Sequence, residues 1–296
     1  MAVQTKVIKQ KIASVKNIKK ITKTMEMVSV SKMKKATGIV TGGKAYSTFA
    51  VELLSNIAGE RHISHPLMEE NTNKEKELVI VISSNKGLCG SYNVNISKAL
   101  SKYKEASDME VECLTIGKQS EKSAKRNKLP IIASFINLNE QSRVADFLSI
   151  RDIVVEKFRN NEYAKISVLY TEFINSASFK PNILKLIPVQ EDIYKNVLLP
   201  QEDERRKSDS LAMYVLEPSA GEVLGTVLPG LIAHILYHTF LESAASEHSA
   251  RMFAMKNAGD NASGLLDDLI LYFNQARQAA ITQEISEIVG GVEAMN

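Results

Sequence analysis

The placement of proline constrains this chain more than any other feature. All seven prolines (Pro66, Pro130, Pro181, Pro188, Pro200, Pro218 and Pro229) lie in the interior, and the first 65 and last 67 residues contain none. Proline breaks helix interiors, so both ends are free to form long helices around a looped middle. The first end carries an apolar stripe. Ile8, Ile12 and Val15, then Ile18, Ile21, Met25 and Val28, recur at steps of three and four, with lysines on the other faces. The stripe falters at Lys32 and Lys35 and resumes at Ile39, Tyr46, Leu53 and Ile57 beyond Gly42 and Gly43. If helical throughout, residues 3–57 span about 80 Å. At the other end, Leu231 to about Val289 has only Gly259 and Gly264 as weak points. Ala262, Leu266, Leu269, Phe273, Ala276 and Ala280 form one stripe, and Ile281, Ile285, Ile288 and Val292 start another in a shifted phase. A helix of about 90 Å does not fit inside a compact domain of this size, so it projects. The expected partner is the N-terminal helix, running antiparallel.

The middle has a different period. Leu78–Ser83, Val111–Ile116, Leu129–Ser134, Ile166–Thr171 and Ile183–Val189 are short, β-branched apolar runs. Helix-like stretches at about 94–106, 118–127 and 141–160 separate them. Strands alternating with helices indicate βαβ units, and near-continuous apolar strands indicate a mainly parallel sheet buried on both faces. The expected fold class is α/β: a long antiparallel coiled coil of the terminal helices plus a central Rossmann-like domain. The expected boundaries are 1–59 for the N-terminal helix, 60–76 for a joint, 77–195 for the α/β domain, 196–210 for a second joint and 211–296 for the C-terminal helix.

Charge is unevenly divided. The 296 residues contain 37 Lys and Arg against 34 Asp and Glu, but residues 1–44 hold eleven lysines and one acid, Glu26. That segment is +10 and the remainder −7. A lysine-rich start calls for an acidic partner, whether nucleic acid, an anionic membrane or an acidic protein surface. No aromatic residue precedes Tyr46 and no arginine precedes Arg61, which disfavours nucleic acid. No run of about 18 uncharged apolar residues suggests a membrane span, and no signal peptide is visible. Cys89 and Cys113, the only cysteines, form no CxxC pair and read as reduced thiols.

Signals for chemistry are weak. The loop Ser83–Asn93 follows a strand and precedes a helix, where nucleotide folds bind phosphate. It offers only Gly87 and Gly90, neither GxGxxG nor GxxxxGK[ST], and reads as a tight turn. His234 and His238 share a helix face, but Ile235 stands where HExxH needs glutamate. They read as ordinary surface or interface histidines. Cys89 lacks a neighbouring base, and Asp267 and Asp268 are adjacent and point to different helix faces. No catalytic, cofactor-binding or metal-binding residue is expected. A metabolite-binding α/β enzyme and a basic coiled-coil nucleic-acid binder stay open as rival classes.

Four segments carry a specific resemblance. Ile12–Val28 (IASVKNIKKITKTMEMV) with Ser31–Ala36 (SKMKKA), Asn85–Gly90 (NKGLCG) running on to Asn95, Ala244–Asn261 (AASEHSARMFAMKNAGDN) and Asn274–Gly290 (NQARQAAITQEISEIVG) resemble the γ subunits of F-type ATP synthases. The blocks stand in family order. One departure is Val292 after Gly291, where the family pattern has Gly-Ala. The resemblance implies a rotor without an active site of its own. Its coiled coil rises through the α/β hexamer, and its domain sits beside the ε subunit and the c-ring. Proton or sodium flow turns the ring and drives ATP synthesis at the β sites. It implies no cofactor, no nucleic-acid partner and only peripheral membrane attachment. With no Arg/Ser-rich leader, a bacterial protein at the cytoplasmic side of the plasma (inner) membrane is expected. The partner-contact residues it implies are Met25 in the first helix and Arg277, Gln278, Thr282 and Glu284 in the last. Lys23, Lys32 and Lys35 join them as cations toward acidic segments of β.

Overall fold

The computed structural model describes residues 2–42, 65–190 and 219–295. The expected stripe positions Tyr46, Leu53 and Ile57, the joint at 196–210 and residues 60–64 of the joint at 60–76 lie outside them. Two compact units emerge, one of residues 1–30 with 251–296, the other of residues 31–250.

The second unit is built on a five-stranded sheet of order β3-β2-β1-β4-β5. Its strands are β1 (Lys76–Ile82), β2 (Glu110–Ile116), β3 (Ile131–Phe135), β4 (Lys165–Asn175) and β5 (Ser178–Ile187). The first four pair in parallel, and β5 returns antiparallel to β4. Between them run α2 (Tyr92–Ala106), α3 (Lys118–Arg126) and α4 (Leu148–Arg159), the last entered by a 3₁₀ turn, Val144–Phe147. Because β1 is apolar on both faces, it is covered twice. Val79 and Val81 pack with Val111, Cys113 and Leu169 under Ile96 and Leu100 of α2 and Ala124 of α3. Leu78, Ile80 and Ile82 meet Ile150, Val154 and Phe158 of α4.

The long C-terminal helix α5 (Ala220–Met295, 76 residues) packs into the same core as α4, through Leu224, Leu228, Leu231, Ile232, Ile235, Leu236 and Phe240. The apolar pattern is read from Leu231, yet the helix starts eleven residues earlier, at Ala220 within the expected segment 211–296, and passes through Pro229. An interior proline costs about 3 kcal/mol. Burial of Leu224, Leu228 and Leu231, each worth about 1.5–3 kcal/mol, outweighs that cost. By length and hydropathy α5 passes as a membrane span, but more than half of the qualifying stretch is buried inside the protein.

The first unit is the antiparallel coiled coil of α1 (Ala2–Gly42) as far as Val30 and of α5 from Arg251 onward. Its buried line differs from the expected one. Ile18, Ile21 and Val28 are exposed, whereas Thr22 and Ser29 are buried and Ile8, Ile12, Val15 and Met25 are half-buried. Val15, Thr22 and Ser29 keep a strict seven-residue step, and Ala36 continues it along α1. Small residues win because the helices come close: a Cβ on Gly259 of α5 would sit 3.4 Å from Thr22 Oγ1. Greasier side chains at those positions would hold the backbones apart. On α5 the expected stripe holds: Ala262 and Leu266 are buried, and Leu269, Phe273, Ala276 and Ala280 half-buried.

Candidate functional site

In a doubly wound sheet, ligands bind outside the C-terminal strand ends where the strand order reverses. Here that point lies between β1 and β4, and the loop 83–91 leaves β1 there. The loop is tightly self-bonded. Ser84 Oγ lies 2.6 Å from the Lys86 carbonyl and 2.8 Å from Asn93 Oδ1. Asn93 Nδ2 donates to Cys89 Sγ at 3.1 Å. Asn85 Oδ1 accepts from the Lys118 amide at 3.1 Å, which ties the loop to the start of α3.

The crevice itself is filled by α5. Tyr92, buried at the start of α2, donates its hydroxyl to Ser243 Oγ at 3.1 Å. The same oxygen accepts the Thr171 amide of β4 at 3.0 Å. One turn on, Ser246 Oγ donates to the Thr171 carbonyl at 3.3 Å. Ser249 donates to the carbonyl of Ser176, and Ala250 packs on Cys89 and Tyr92. The serines and alanines of 243–250 let α5 approach the strand end closely while meeting backbone groups that β4 leaves unpaired. The glycine loop, met in the sequence as a phosphate-site question, is therefore a dock for the C-terminal helix. Periodicity does not reveal it, since residues 92 and 243 meet only in the tertiary fold. Burial drives the Tyr92 hydroxyl pKa well above its ordinary value and that of Cys113 up to about 12, so neither group is an ionised nucleophile at neutral pH.

Ser243→Ala leaves the Thr171 amide and the Tyr92 hydroxyl without their shared acceptor. We expect a loss of about 2–4 kcal/mol, against about 1 kcal/mol for Tyr92→Phe. Urea unfolding of the two variants, compared with the parent, checks the order.

The two histidines are not at the surface: His238 is buried and His234 half-buried. Burial lowers both, and with His234 nearby His238 falls to about 4. Below them on α5, Glu242 is pushed up to about 8, first by burial and then by Glu172 of β4. Its carboxylate lies 4.0 Å from His238 Nδ1. A raised carboxyl binds its proton more tightly in the folded state. Its contribution is therefore full below about pH 4.5 and is lost as pH rises through about 8. Glu242→Gln should match the parent's thermal midpoint near pH 4.5 and exceed it by several degrees at pH 8.5. Melting curves across that range test the sign.

Of the residues expected at partner contacts, Lys23, Met25, Arg277, Gln278, Thr282 and Glu284 belong to the first unit, and Lys32 and Lys35 to the second. Lys23 is exposed and bonded to Glu26 at 3.1 Å, and Met25 is half-buried beside it. Lys35 is exposed, and Lys32 pairs with Glu140. Arg277, Gln278, Thr282 and Glu284 are all exposed. With Gly259 opposite Thr22, antiparallel helices place Arg277 about 27 Å farther along the rod, so the structure does not bring it to Met25. The same register leaves residues beyond about 280 with no part of α1 opposite them, because α1 begins at Ala2. Residues 281–291 are accordingly exposed throughout, from Ile281 at 48% to Ile288 at 67%. Among the described residues, no cluster of metal-ligating side chains occurs.

A family model described as ATP synthase matches residues 4–295. The ATP synthase gamma chain of Pelotomaculum thermopropionicum is 37% identical over 289 residues, covering 97% of this chain and 98% of its own. That of Nitrosococcus oceani is 36% identical over 296 residues, covering 98% and 99%. Among solved structures, a chain from the OSCP/F1/c-ring part of the Euglena gracilis mitochondrial ATP synthase aligns with a TM-score of 0.65 at 19% identity, covering 100% of this chain and 95% of that one. A chain from the Tetrahymena thermophila central stalk and c-ring gives 0.59 at 23%, covering 80% and 99%. These two likenesses bear on the fold. Taken with relatives more than a third identical along nearly their whole length, the family match means that this chain belongs to the γ chains of ATP synthase.

Proposed function

We propose that the chain is the central rotor shaft of a proton- or sodium-translocating ATP synthase. It carries rotation of the c-ring to the β-subunit catalytic sites and supplies no reacting group itself. The single observation that carries this reading is the end of α5: eleven consecutive exposed residues, with Ile281, Ile285, Ile288 and Val289 uncovered on one helix. Such a tip is costly in water and suits an apolar sleeve, against which it turns without directional hydrogen bonds to break. Exposed Ile18, Ile21, Met27 and Val28 on α1 extend the same demand. The filled crevice at the strand ends argues against a nucleotide-binding enzyme on this sheet.

In this reading residues 1–59 and 211–296 form the shaft, 77–195 the foot beside ε and the c-ring, and 60–76 and 196–210 the joints. Lys23, Met25, Lys32 and Lys35 meet the β subunits at one level and Arg277, Gln278, Thr282 and Glu284 at another. Lys35 reaches acidic β segments as an exposed cation, whereas Lys32 arrives already paired. The chain works at the cytoplasmic face of a bacterial plasma membrane, held there through the complex. Affinity purification of the tagged chain from its own cells tests the proposal. Recovery of α, β, ε and c with ATP-driven ion pumping supports it. A chain that comes out alone, or that binds nucleotide stoichiometrically by itself, overturns it.

A further inference from the structure

The turn 139–142 between β3 and the 3₁₀ segment is braced on three sides. The Gln141 amide donates to Asn139 Oδ1 at 2.8 Å, the Asn139 amide to Ser142 Oγ at 3.1 Å, and the Ser142 amide to the Asn139 carbonyl at 2.9 Å. Glu140 stands at its tip with its side chain 11% exposed. Its carboxylate meets Lys32 Nζ from α1 and lies 3.3 Å from His248 Nε2 of α5. One acid on the α/β domain thus faces nitrogens from both long helices. His248, aided by Lys32, holds this carboxyl well below the usual range, so it is ionised throughout the physiological span.

We propose that Glu140 is a positioning residue for torque transfer, a latch that fixes α1 and α5 in axial register and ties both to the domain. The proposal rests on the rotor reading above. Torque reaches two antiparallel helices as shear, and apolar packing between small residues resists sliding weakly along the axis. A slip of one residue moves a helix about 1.5 Å, enough to break a short charge contact. A single carboxylate shared by both helices therefore opposes slip of either one. The sequence hides this role. Lys32 and Lys35 break the apolar stripe alike, and only the fold shows that Lys32 is the one that meets Glu140.

The test uses the assembled complex in sealed vesicles. Glu140→Gln should assemble and hydrolyse ATP, with ions pumped per ATP hydrolysed reduced at least about twofold. Lys32→Gln should reduce the ratio as well, Lys32→Arg should restore it, and the double variant E140Q/K32Q should be no worse than the poorer single one. A parental ratio in Glu140→Gln overturns the latch, and so do additive losses in the double variant. If Glu140→Gln fails to assemble, Lys32→Gln against Lys32→Arg decides, and a parental ratio in Lys32→Gln overturns it. Failure of the rotor reading looks different: no complex with α and β forms around the parent chain.

Discussion

Gly117→Ala should abolish recovery of the assembled complex, the largest effect expected of any single methyl group in this chain. Gly117 joins β2 to α3 at φ +98°, in a region that L side chains rarely adopt. A Cβ there would lie 2.2 Å from the Ser83 carbonyl oxygen, 3.0 Å from its carbon and 3.2 Å from the Ser84 oxygen. All three are backbone atoms and cannot rotate away. They are also fixed by bonding: the Ser83 amide donates to the Ile116 carbonyl at 2.9 Å, the Gln119 amide to Ser84 at 3.0 Å and the Gly117 amide to Phe135 at 2.9 Å. Relief would part the ends of β1, β2 and β3 together. The backbone conformation alone costs about 1–3 kcal/mol, and the overlap adds to it. Gly87→Ala is the control, because nothing lies within 4 Å of its added carbon and its φ is not in the left-handed region. Yields of complex from cells expressing each variant settle the comparison. Equal yields would refute the crowding argument.

Met25→Lys should leave assembly near normal and lower coupling severalfold. Met25 is half-buried on α1, and the Ser29 hydroxyl donates to its carbonyl at 2.7 Å. A lysine keeps a long aliphatic stem and can carry its ammonium to solvent, so the coiled coil tolerates it. The added charge then stands where the shaft is proposed to slide past β. An ion pair formed there in one rotary position must break before the next, which raises a barrier at every turn. A contact of about 1–2 kcal/mol slows that step about 5–30-fold. ATP synthesis and ATP-driven pumping, each measured per unit of assembled complex, check this. Pumping equal to the parent's would remove Met25 from the moving contact.

Much of the architecture was legible in the residues because it rests on short-range rules. Proline's absence from both ends allowed the long helices. Apolar β-branched runs placed the five strands within a few residues, and the α5 stripe Ala262–Ala280 proved to be buried or half-buried along its length. The same logic failed on α1. Apolar periodicity pointed to Ile18, Ile21 and Val28, whereas the buried line runs through Thr22, which Gly259 approaches closely, and Ser29. Hydrophobicity ranks side chains by what they gain in leaving water, but a tight interface ranks them first by volume.

By itself, then, the sequence determined the kinds of element, their order, the uneven charge and the family. Each is carried by residues within one or two helical turns of each other, or by blocks that persist in order. Tertiary structure alone decided that α5 fills the crevice through Ser243 and Ala250, that Glu140 lies between Lys32 and His248, and that Gly117 rather than Gly87 cannot change. Those facts join groups from 33 to 161 residues apart. Such distant groups meet only after the chain has closed its loops, and no local pattern records which of them will touch.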